Sequence, residues 1–255
     1  MFFEIKSSKI GKNLFKYLLS KSGKNYTIDQ RIPDSLIYQT LINRLIMLIR
    51  GYFKLYRKVY VGSNCHFLNI RNISIGQHVT IENNTTIDGF ASEKICLGNN
   101  VKIGAYSKVT CTSHFSKYGK GLKMGNNSAI GDFTHFGASG GIDIGNDVIM
   151  GSFISFHSEN HNFEDTTKLI REQGVTSKGI KIGNNVWVGA KVTFLDGTVI
   201  GNHCVVAAGA VVNGSYPDFS VIGGITAKII KSIKYLKYII EYFCFYVCLF
   251  VGVCV

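Results

Sequence analysis

Two histidines are the side chains in this sequence best suited to take a proton from a hydroxyl group near neutral pH. His157 and His161 lie in the segment SFHSENHNFEDTTKLIREQGVTSKGIKIG. Neutral imidazole is the side chain whose pKa fits this task. Glu159 and Asp165 lie close by in the chain, and either carboxylate could fix the imidazole tautomer by accepting its second N–H. The segment therefore predicts general-base chemistry.

A repeat of six residues organises the chain around this segment. Apolar residues recur at that step in an unbroken run at positions 182, 188, 194, 200, 206 and 212. This period fits neither a helix face nor a single strand, but it fits a short strand followed by a tight turn. Three such units complete one triangular coil, with the apolar residue inward and Gly, Asn or Asp at the corners. We therefore predict an all-β solenoid rather than a β-sandwich, whose turns do not keep a strict period of six.

The largest interruption of the repeat predicts an extruded loop over 157–179. Phe156 is still in phase with Ile144 and Met150, and the repeat resumes at Ile180. His157 directly follows Phe156 and is therefore expected on a coil strand or corner. His161 lies beyond the last coil residue and is expected in the loop.

The segments outside the repeat have a different pattern. Residues 35–57 alternate leucines with basic residues at helical spacing, so we expect an amphipathic helix within an N-terminal region, 1–58. This helix could cap the open first coil or lie on an anionic membrane surface, and capping is favoured because stacked repeats need covered ends. The catalytic repeat domain spans 59–225. Residues 226–255 are expected to form a basic helix and an apolar tail, and the apolar run could be a membrane anchor, a buried terminal helix or an unusual tail.

Composition narrows the partners and the compartment. The 255 residues carry a net charge of +12, which indicates an anionic partner such as a membrane surface or a phosphate-bearing small molecule; we expect no nucleic-acid function. The seven cysteines show no metal-ligand spacing, so we expect free thiols, no metal and a cytoplasmic protein. The N-terminus does not resemble a secretory signal.

Two stretches, NNVWVGAKVTFLDGTVIGNHCVVAAGAVV and PDFSVIGGITAKIIK, resemble the hexapeptide-repeat acyltransferases, particularly the O-acetyltransferases of bacterial polysaccharide assembly. The resemblance implies a left-handed parallel β-helix that forms a homotrimer. Its active sites would lie between subunits, where a loop histidine meets the thioester of acetyl-coenzyme A. His161 matches the position of that histidine.

The resemblance also implies a donor site along the coil edge. Small residues at Gly189, Ala190 and Ala208 would let the coenzyme A arm approach the backbone, beside the family's tryptophan at Trp187. Basic residues that match the family's phosphate-binding positions are Lys228 and Lys231.

The chain departs from the family pattern near the last turns. Asn213 and Gly214 replace the usual Thr-Lys pair, and Thr226 replaces a usual proline. Phosphate contacts from that turn are therefore not expected.

The sequence as a whole predicts an acetyl-coenzyme A-dependent O-acetyltransferase that acts on a sugar or polysaccharide precursor, with His161 as general base. We expect a cytoplasmic location, at the inner face of the membrane if the terminal segments associate with it. One alternative is a zinc hydratase that resembles the γ-class carbonic anhydrases, with His135, His157 and His161 as ligands. The other is a trimeric scaffold without catalysis.

Overall fold

Three parallel β-sheets form the body of the protein in the computed structural model, which describes residues 9–21, 27–112, 114–115 and 117–233. Two helices precede the sheets, α1 (Lys9–Lys21) and α2 (Asp34–Leu55). Short 3-10 turns lie at Ile70–Asn72 and Ile170–Glu172.

The strands are short, as a six-residue repeat requires. The first eight are β1 (Tyr60–Val61), β2 (His66–Leu68), β3 (Ile73–Ile75), β4 (Thr80–Ile81), β5 (Thr86–Asp88), β6 (Ile95–Leu97), β7 (Lys102–Ile103) and β8 (Lys108–Thr110). The next nine are β9 (Leu122–Met124), β10 (Ala129–Ile130), β11 (His135–Gly137), β12 (Ile142–Ile144), β13 (Ile149–Met150), β14 (Ser155–His157), β15 (Asn160–His161), β16 (Val175–Thr176) and β17 (Ile180–Ile182). The last eight are β18 (Trp187–Val188), β19 (Thr193–Leu195), β20 (Val199–Ile200), β21 (Val205–Val206), β22 (Val211–Val212), β23 (Ser215–Tyr216), β24 (Ser220–Gly224) and β25 (Ala227–Ser232).

Successive coil strands enter the three sheets in turn, so each pairs with the strand one coil away. Sheet A has the order β1-β4-β7-β10-β13-β18-β21-β24-β25, sheet B the order β2-β5-β8-β11-β14-β19-β22, and sheet C the order β3-β6-β9-β12-β17-β20-β23. The chain turns at a first corner between sheets A and B, a second between B and C, and a third between C and A. The solenoid architecture predicted from the repeat agrees with this topology.

The period-six residues form the core. Ile182, Val188 and Phe194 lie on successive strands of the three sheets, and each is buried. Phe194 stacks on Phe156, which stacks on Phe136, with ring centroids 5.1 Å apart in both pairs. The inward orientation predicted for these positions is confirmed.

Helix α2 packs against the first coil. Ile37, Met47, Gly51 and Leu55 are its buried residues. A Cβ at position 51 would lie 1.9 Å from the carbonyl oxygen of Val59, so only glycine permits this close approach.

The helix predicted from Lys228 onward is wrong over the described residues. Ala227–Ser232 instead form β25, which pairs antiparallel with β24 and extends sheet A. Exposed backbone groups at the edge of β24 favour such an added strand. The rest of the predicted basic helix and the apolar tail that begins at Ile239 fall in residues 234–255, outside the described residues.

Candidate active site

A two-stranded hairpin carries His161 away from the coil. The chain leaves sheet B after β14, and β15 pairs antiparallel with β16, so that Asn160 faces Thr176 and His161 faces Val175. The chain then re-enters the coil at β17. His161 is therefore on the extruded segment, while His157 is the last residue of a coil strand.

Two buried polar side chains anchor the base of this hairpin. The Ser158 hydroxyl donates to the carbonyl oxygen of Gly137 at 2.7 Å and accepts from the N–H of Gly140 at 2.9 Å. On the returning side, the Asp196 carboxylate accepts from the N–H groups of Lys178 and Gly179, both at 2.8 Å. Sequence reasoning missed both anchors, although Asp196 stands in a hexapeptide unit where a buried carboxylate is unusual.

Gln173 ties the distal part of the loop together. Its side-chain oxygen accepts from the N–H of Asp165 at 3.0 Å, and its amide nitrogen donates to the Asp165 carbonyl at 2.9 Å. Asn162 donates to the carbonyl oxygen of Gln173 at 3.0 Å. The loop is thus internally hydrogen-bonded although it lies outside the coil.

An open cleft of about 530 Å³ adjoins His161. The side chain of His161 is exposed, and the cleft is lined in addition by Asn160, Asn162, Phe163, Glu164, Asp165, Lys168, Gln173 and Thr176. This mixture of amide, carboxylate, ammonium and aromatic groups offers hydrogen bonds and an apolar surface to a polar ligand.

The two carboxylates considered as orienting groups have other partners. Asp165 accepts hydrogen bonds from the hydroxyl and the N–H of Thr167 and pairs with Lys168 at 2.9 Å. These contacts lower the pKa of Asp165, and the bond from the Thr167 hydroxyl contributes most. Glu159 Oε2 accepts from the Ser177 hydroxyl at 3.4 Å, and Ser177 also accepts from Lys117. The orienting role remains a prediction for both.

His157 occupies an outward position on sheet B. Its Nε2 lies 2.8 Å from the hydroxyl oxygen of Ser155, and its ring centroid is 6.4 Å from that of His135. Burial lowers the pKa of His135, and the nearby charges of His157 and Lys108 lower it further. These two histidines therefore form an outward pair on the coil.

The three histidines considered as zinc ligands do not form a ligand group. Within the described ranges, no cluster of three or more His, Cys, Asp or Glu side chains has the geometry to hold a metal ion. The four described cysteines are free thiols, as expected.

The predicted donor residues lie on β18 and β25, among the last strands of sheet A, and at the corner between sheets A and B. Gly189 packs so closely on the next coil that a Cβ there would lie 2.5 Å from the nitrogen of Ala208. The adjacent Ala190 and Ala208 are exposed. This corner therefore has an open backbone edge without large side chains.

Trp187 and the two lysines are connected through the register of sheet A. Trp187 pairs with Val205, Val205 with Val221, and Val221 with Lys231. Lys228 pairs with Gly223, and Trp187, Lys228 and Lys231 are all exposed. The indole and both ammonium groups thus belong to the same end of one sheet.

A buried tyrosine positions β25. The Tyr216 hydroxyl lies 3.0 Å from the carbonyl oxygen of Asn213 and 2.8 Å from that of Ala227. Burial raises the pKa of Tyr216. The contact ties the last coil to the strand that carries Lys228, a link that the six-residue pattern did not predict.

Comparisons with known proteins agree with the repeat. Residues 179–214 match the family described as bacterial transferase hexapeptide (six repeats). The chain is 31% identical over 53% of its length to a probable acetyltransferase of Mycobacterium tuberculosis, and the match covers 43% of that protein. It is 34% identical over 45% of its length to a putative lipopolysaccharide biosynthesis O-acetyl transferase of Escherichia coli, covering 62% of that protein.

The resemblance to hexapeptide-repeat acetyltransferases inferred from the sequence is confirmed by these matches. The chain spans about half the length of these curated relatives. Among solved structures, an N-acyltransferase from Bacillus cereus aligns with a TM-score of 0.46 and 21% identity, over 73% of this chain and 92% of that one.

Proposed function

We propose that the protein transfers an acetyl group from acetyl-coenzyme A to a hydroxyl of a sugar or polysaccharide precursor. The observation that carries the proposal is the hairpin bearing an exposed His161, which leaves a hexapeptide coil just where the repeat is interrupted. The relatives named as acetyltransferases support the reaction class, and the relative in lipopolysaccharide biosynthesis supports a saccharide acceptor.

In the proposed reaction, a ring nitrogen of His161 accepts the proton of the acceptor hydroxyl as the oxygen attacks the thioester carbonyl. The carbon–sulfur bond then breaks, and the imidazolium returns the proton to the leaving coenzyme A thiolate. The products are the O-acetyl ester and free coenzyme A, and the histidine ends neutral. Ser158 and Asp196 support this step by fixing both ends of the hairpin.

The donor would lie along the first corner and the C-terminal end of sheet A. Exposed Ala190 and Ala208 leave room for the pantetheine arm beside the backbone, and Trp187 borders the same edge. Lys228 and Lys231 supply positive charge for the nucleotide phosphates.

The finer architecture is part of the proposal. We expect the coil to be left-handed and the protein to be a homotrimer, because the exposed loop of one subunit needs a neighbouring surface to enclose substrates. We also propose a cytoplasmic protein whose terminal segments associate with the inner face of the membrane. None of the helices in the described part of the chain has the length and hydropathy of a bilayer-spanning segment.

The experiment measures release of free coenzyme A from acetyl-coenzyme A with a panel of nucleotide sugars, free sugars and lipid-linked saccharides. We expect release that depends on one class of acceptor, together with an acetyl ester found by mass spectrometry. His66→Ala is the matched control for His161→Ala, because His66 is exposed on the first coil. Acceptor-dependent release that survives His161→Ala would overturn the catalytic assignment, and light scattering that gives an active monomer would overturn the trimer.

A further inference from the structure

Helix α2 directs much of its positive charge toward the coil. Arg44 donates to the Thr80 hydroxyl at 2.9 Å, and Lys54 donates to the carbonyl oxygen of Cys65 at 2.7 Å. The guanidinium group of Arg57, just after the helix, donates to the carbonyl oxygen of Ile75 at 3.0 Å. These cations satisfy polar groups of the first coils, so the helix uses them for packing.

The opposite side of α2 is apolar and exposed. Its large side chains follow the i, i+3, i+4, i+7 spacing of one helix face at Ile42, Leu45, Ile46, Ile49, Tyr52 and Phe53. Together with Tyr56, the left-handed residue just after the helix, they constitute the outer stripe. Their exposed fractions range from 41% for Ile46 to 84% for Tyr56. A helix that only covers the end of a coil needs a polar outer face, so this stripe requires a partner.

The charge around the stripe favours an anionic partner. Helix α1, which packs on α2, has no acidic residue in its sequence KIGKNLFKYLLSK, and Lys12 and Lys16 are its described cations. Lys58, three residues after α2, is exposed. Of the acidic residues nearby, Asp29 is paired with Arg31, Asp34 lies at the start of α2, and Glu82, which shares a cleft with Ile46, is paired with Lys102 at 3.3 Å. An apolar stripe with flanking cations and aromatic rings is typical of a helix that lies in the headgroup region of a bilayer.

The last described strand, β25, lies at the opposite end of the solenoid from α2. Strands β1 and β24 lie seven strand spacings apart in sheet A. Strand β25 lies one spacing further, so at about 4.8 Å per spacing it is roughly 38 Å from β1, the strand against which α2 packs.

We propose that the outer stripe of α2 docks the protein on an anionic lipid surface, with the first coil toward the bilayer. This inference rests on the membrane association proposed above and does not depend on acetyl transfer. It assigns α2 two functions, since one face closes the coil and the other partitions into the lipid headgroups.

Sedimentation of the full chain with vesicles tests the proposal. We expect binding to vesicles that contain phosphatidylglycerol, weaker binding to phosphatidylcholine alone, and a decrease as salt rises. The double variant Ile42→Gln/Ile49→Gln should lower the partition coefficient at least about tenfold, because two large apolar side chains no longer enter the bilayer. The matched control, Phe90→Gln/Phe115→Gln, removes two exposed apolar side chains that lie beyond the first coil and should bind like the parent.

Equal vesicle binding by the stripe variant and the parent would overturn the proposal. Membrane binding, if observed, would then be assigned to the C-terminal tail. Equal binding to charged and neutral vesicles would overturn the anionic surface. A stripe variant that dissociates in light scattering would show that the stripe joins copies of this chain instead. Coenzyme A release with a water-soluble acceptor, measured in parallel, is expected to remain unchanged and tests acetyl transfer separately.

Discussion

The buried carboxylate of Asp196 accepts a hydrogen bond from the N–H of Gly179 at 2.8 Å. Gly179 is the last residue before β17, so this contact fixes the point where the hairpin with His161 re-enters the coil. A surface loop usually moves more than the elements that it connects. Here the loop base is held by a charge-assisted hydrogen bond, which is stronger than a neutral one.

Asp196→Asn tests the anchor. Oδ1 of Asp196 accepts from both N–H groups at 2.8 Å, and Oδ2 lies 2.9 Å from the Lys178 nitrogen, so asparagine would remove the charge and place an NH2 donor against the Lys178 N–H. We expect a loss of about 1–3 kcal/mol in the free energy of unfolding, with faster amide exchange near Gly179. Asp132→Asn is the control, because a single Asp132 oxygen accepts from Ala105 and asparagine can replace it. Equal effects of the two substitutions would contradict the anchoring role.

Gly51→Ala tests the contact between α2 and the first coil. Alanine normally stabilises a helix interior relative to glycine, but here its Cβ would lie 1.9 Å from the carbonyl oxygen of Val59. We expect the sign to reverse, with destabilisation of about 1–3 kcal/mol as the helix shifts outward. Asn43→Ala, on the exposed side of α2, should be neutral or slightly stabilising. Thermal unfolding of both variants measures the difference.

The rates at which Cys96 and Cys111 are alkylated test how well the core excludes solvent. Burial raises the pKa of the Cys111 thiol to about 12, with a further contribution from Asp88. The native state therefore keeps this thiol neutral; its contribution to stability is present below the ordinary pKa of 9.0 and is lost as the pH rises toward about 12. We expect iodoacetamide at mildly alkaline pH to modify the half-exposed Cys96 well before Cys111, as peptide mass spectrometry would measure. Equal rates in the native protein would show that the coil opens readily.

The coil could be predicted from the sequence because its repeat is strictly local. Each period-six residue points inward because its own coil places it there, independently of distant segments. The interruption of the repeat after Phe156 indicates the position of the hairpin. The pattern did not predict Phe133 and Phe153 at left-handed corner positions, with φ of 58° and 61°, where Gly or Asn is usual. Their rings stack 4.9 Å apart in successive coils, a contact between residues 20 positions apart that the local pattern does not contain.

The C-terminal segment illustrates the opposite case. The basic segment that begins at Lys228, KIIKSIKYLKYII, is typical of a helix, but the edge of β24 imposes a strand on its described part. Tertiary context commonly overrides local propensity in this way. The roles assigned to His161 and to the donor residues came from the family resemblance and stay predictions.

Lys228→Ala and Lys231→Ala test the donor site. Both lysines are exposed on β25, so their attraction for phosphate groups should be screened by salt. We expect the double variant to bind coenzyme A more weakly at low salt, with the difference shrinking as salt rises, as isothermal calorimetry would measure. Lys102→Ala, on the same sheet but far from β25, is the matched control. Unchanged affinity at low salt would place the phosphates elsewhere.

His161→Ala tests the proposed general base. If His161 removes the acceptor proton, turnover should fall by about 10²–10⁴-fold, the usual contribution of a positioned base. Coenzyme A affinity should survive, because the proposed donor edge lies on sheet A and not on the hairpin. His157→Ala should cost less, because this residue lies on a coil strand and its Nε2 contacts Ser155. Acetyl transfer and coenzyme A affinity measured side by side decide the assignment; an active His161→Ala with an inactive His157→Ala would move the base to the coil.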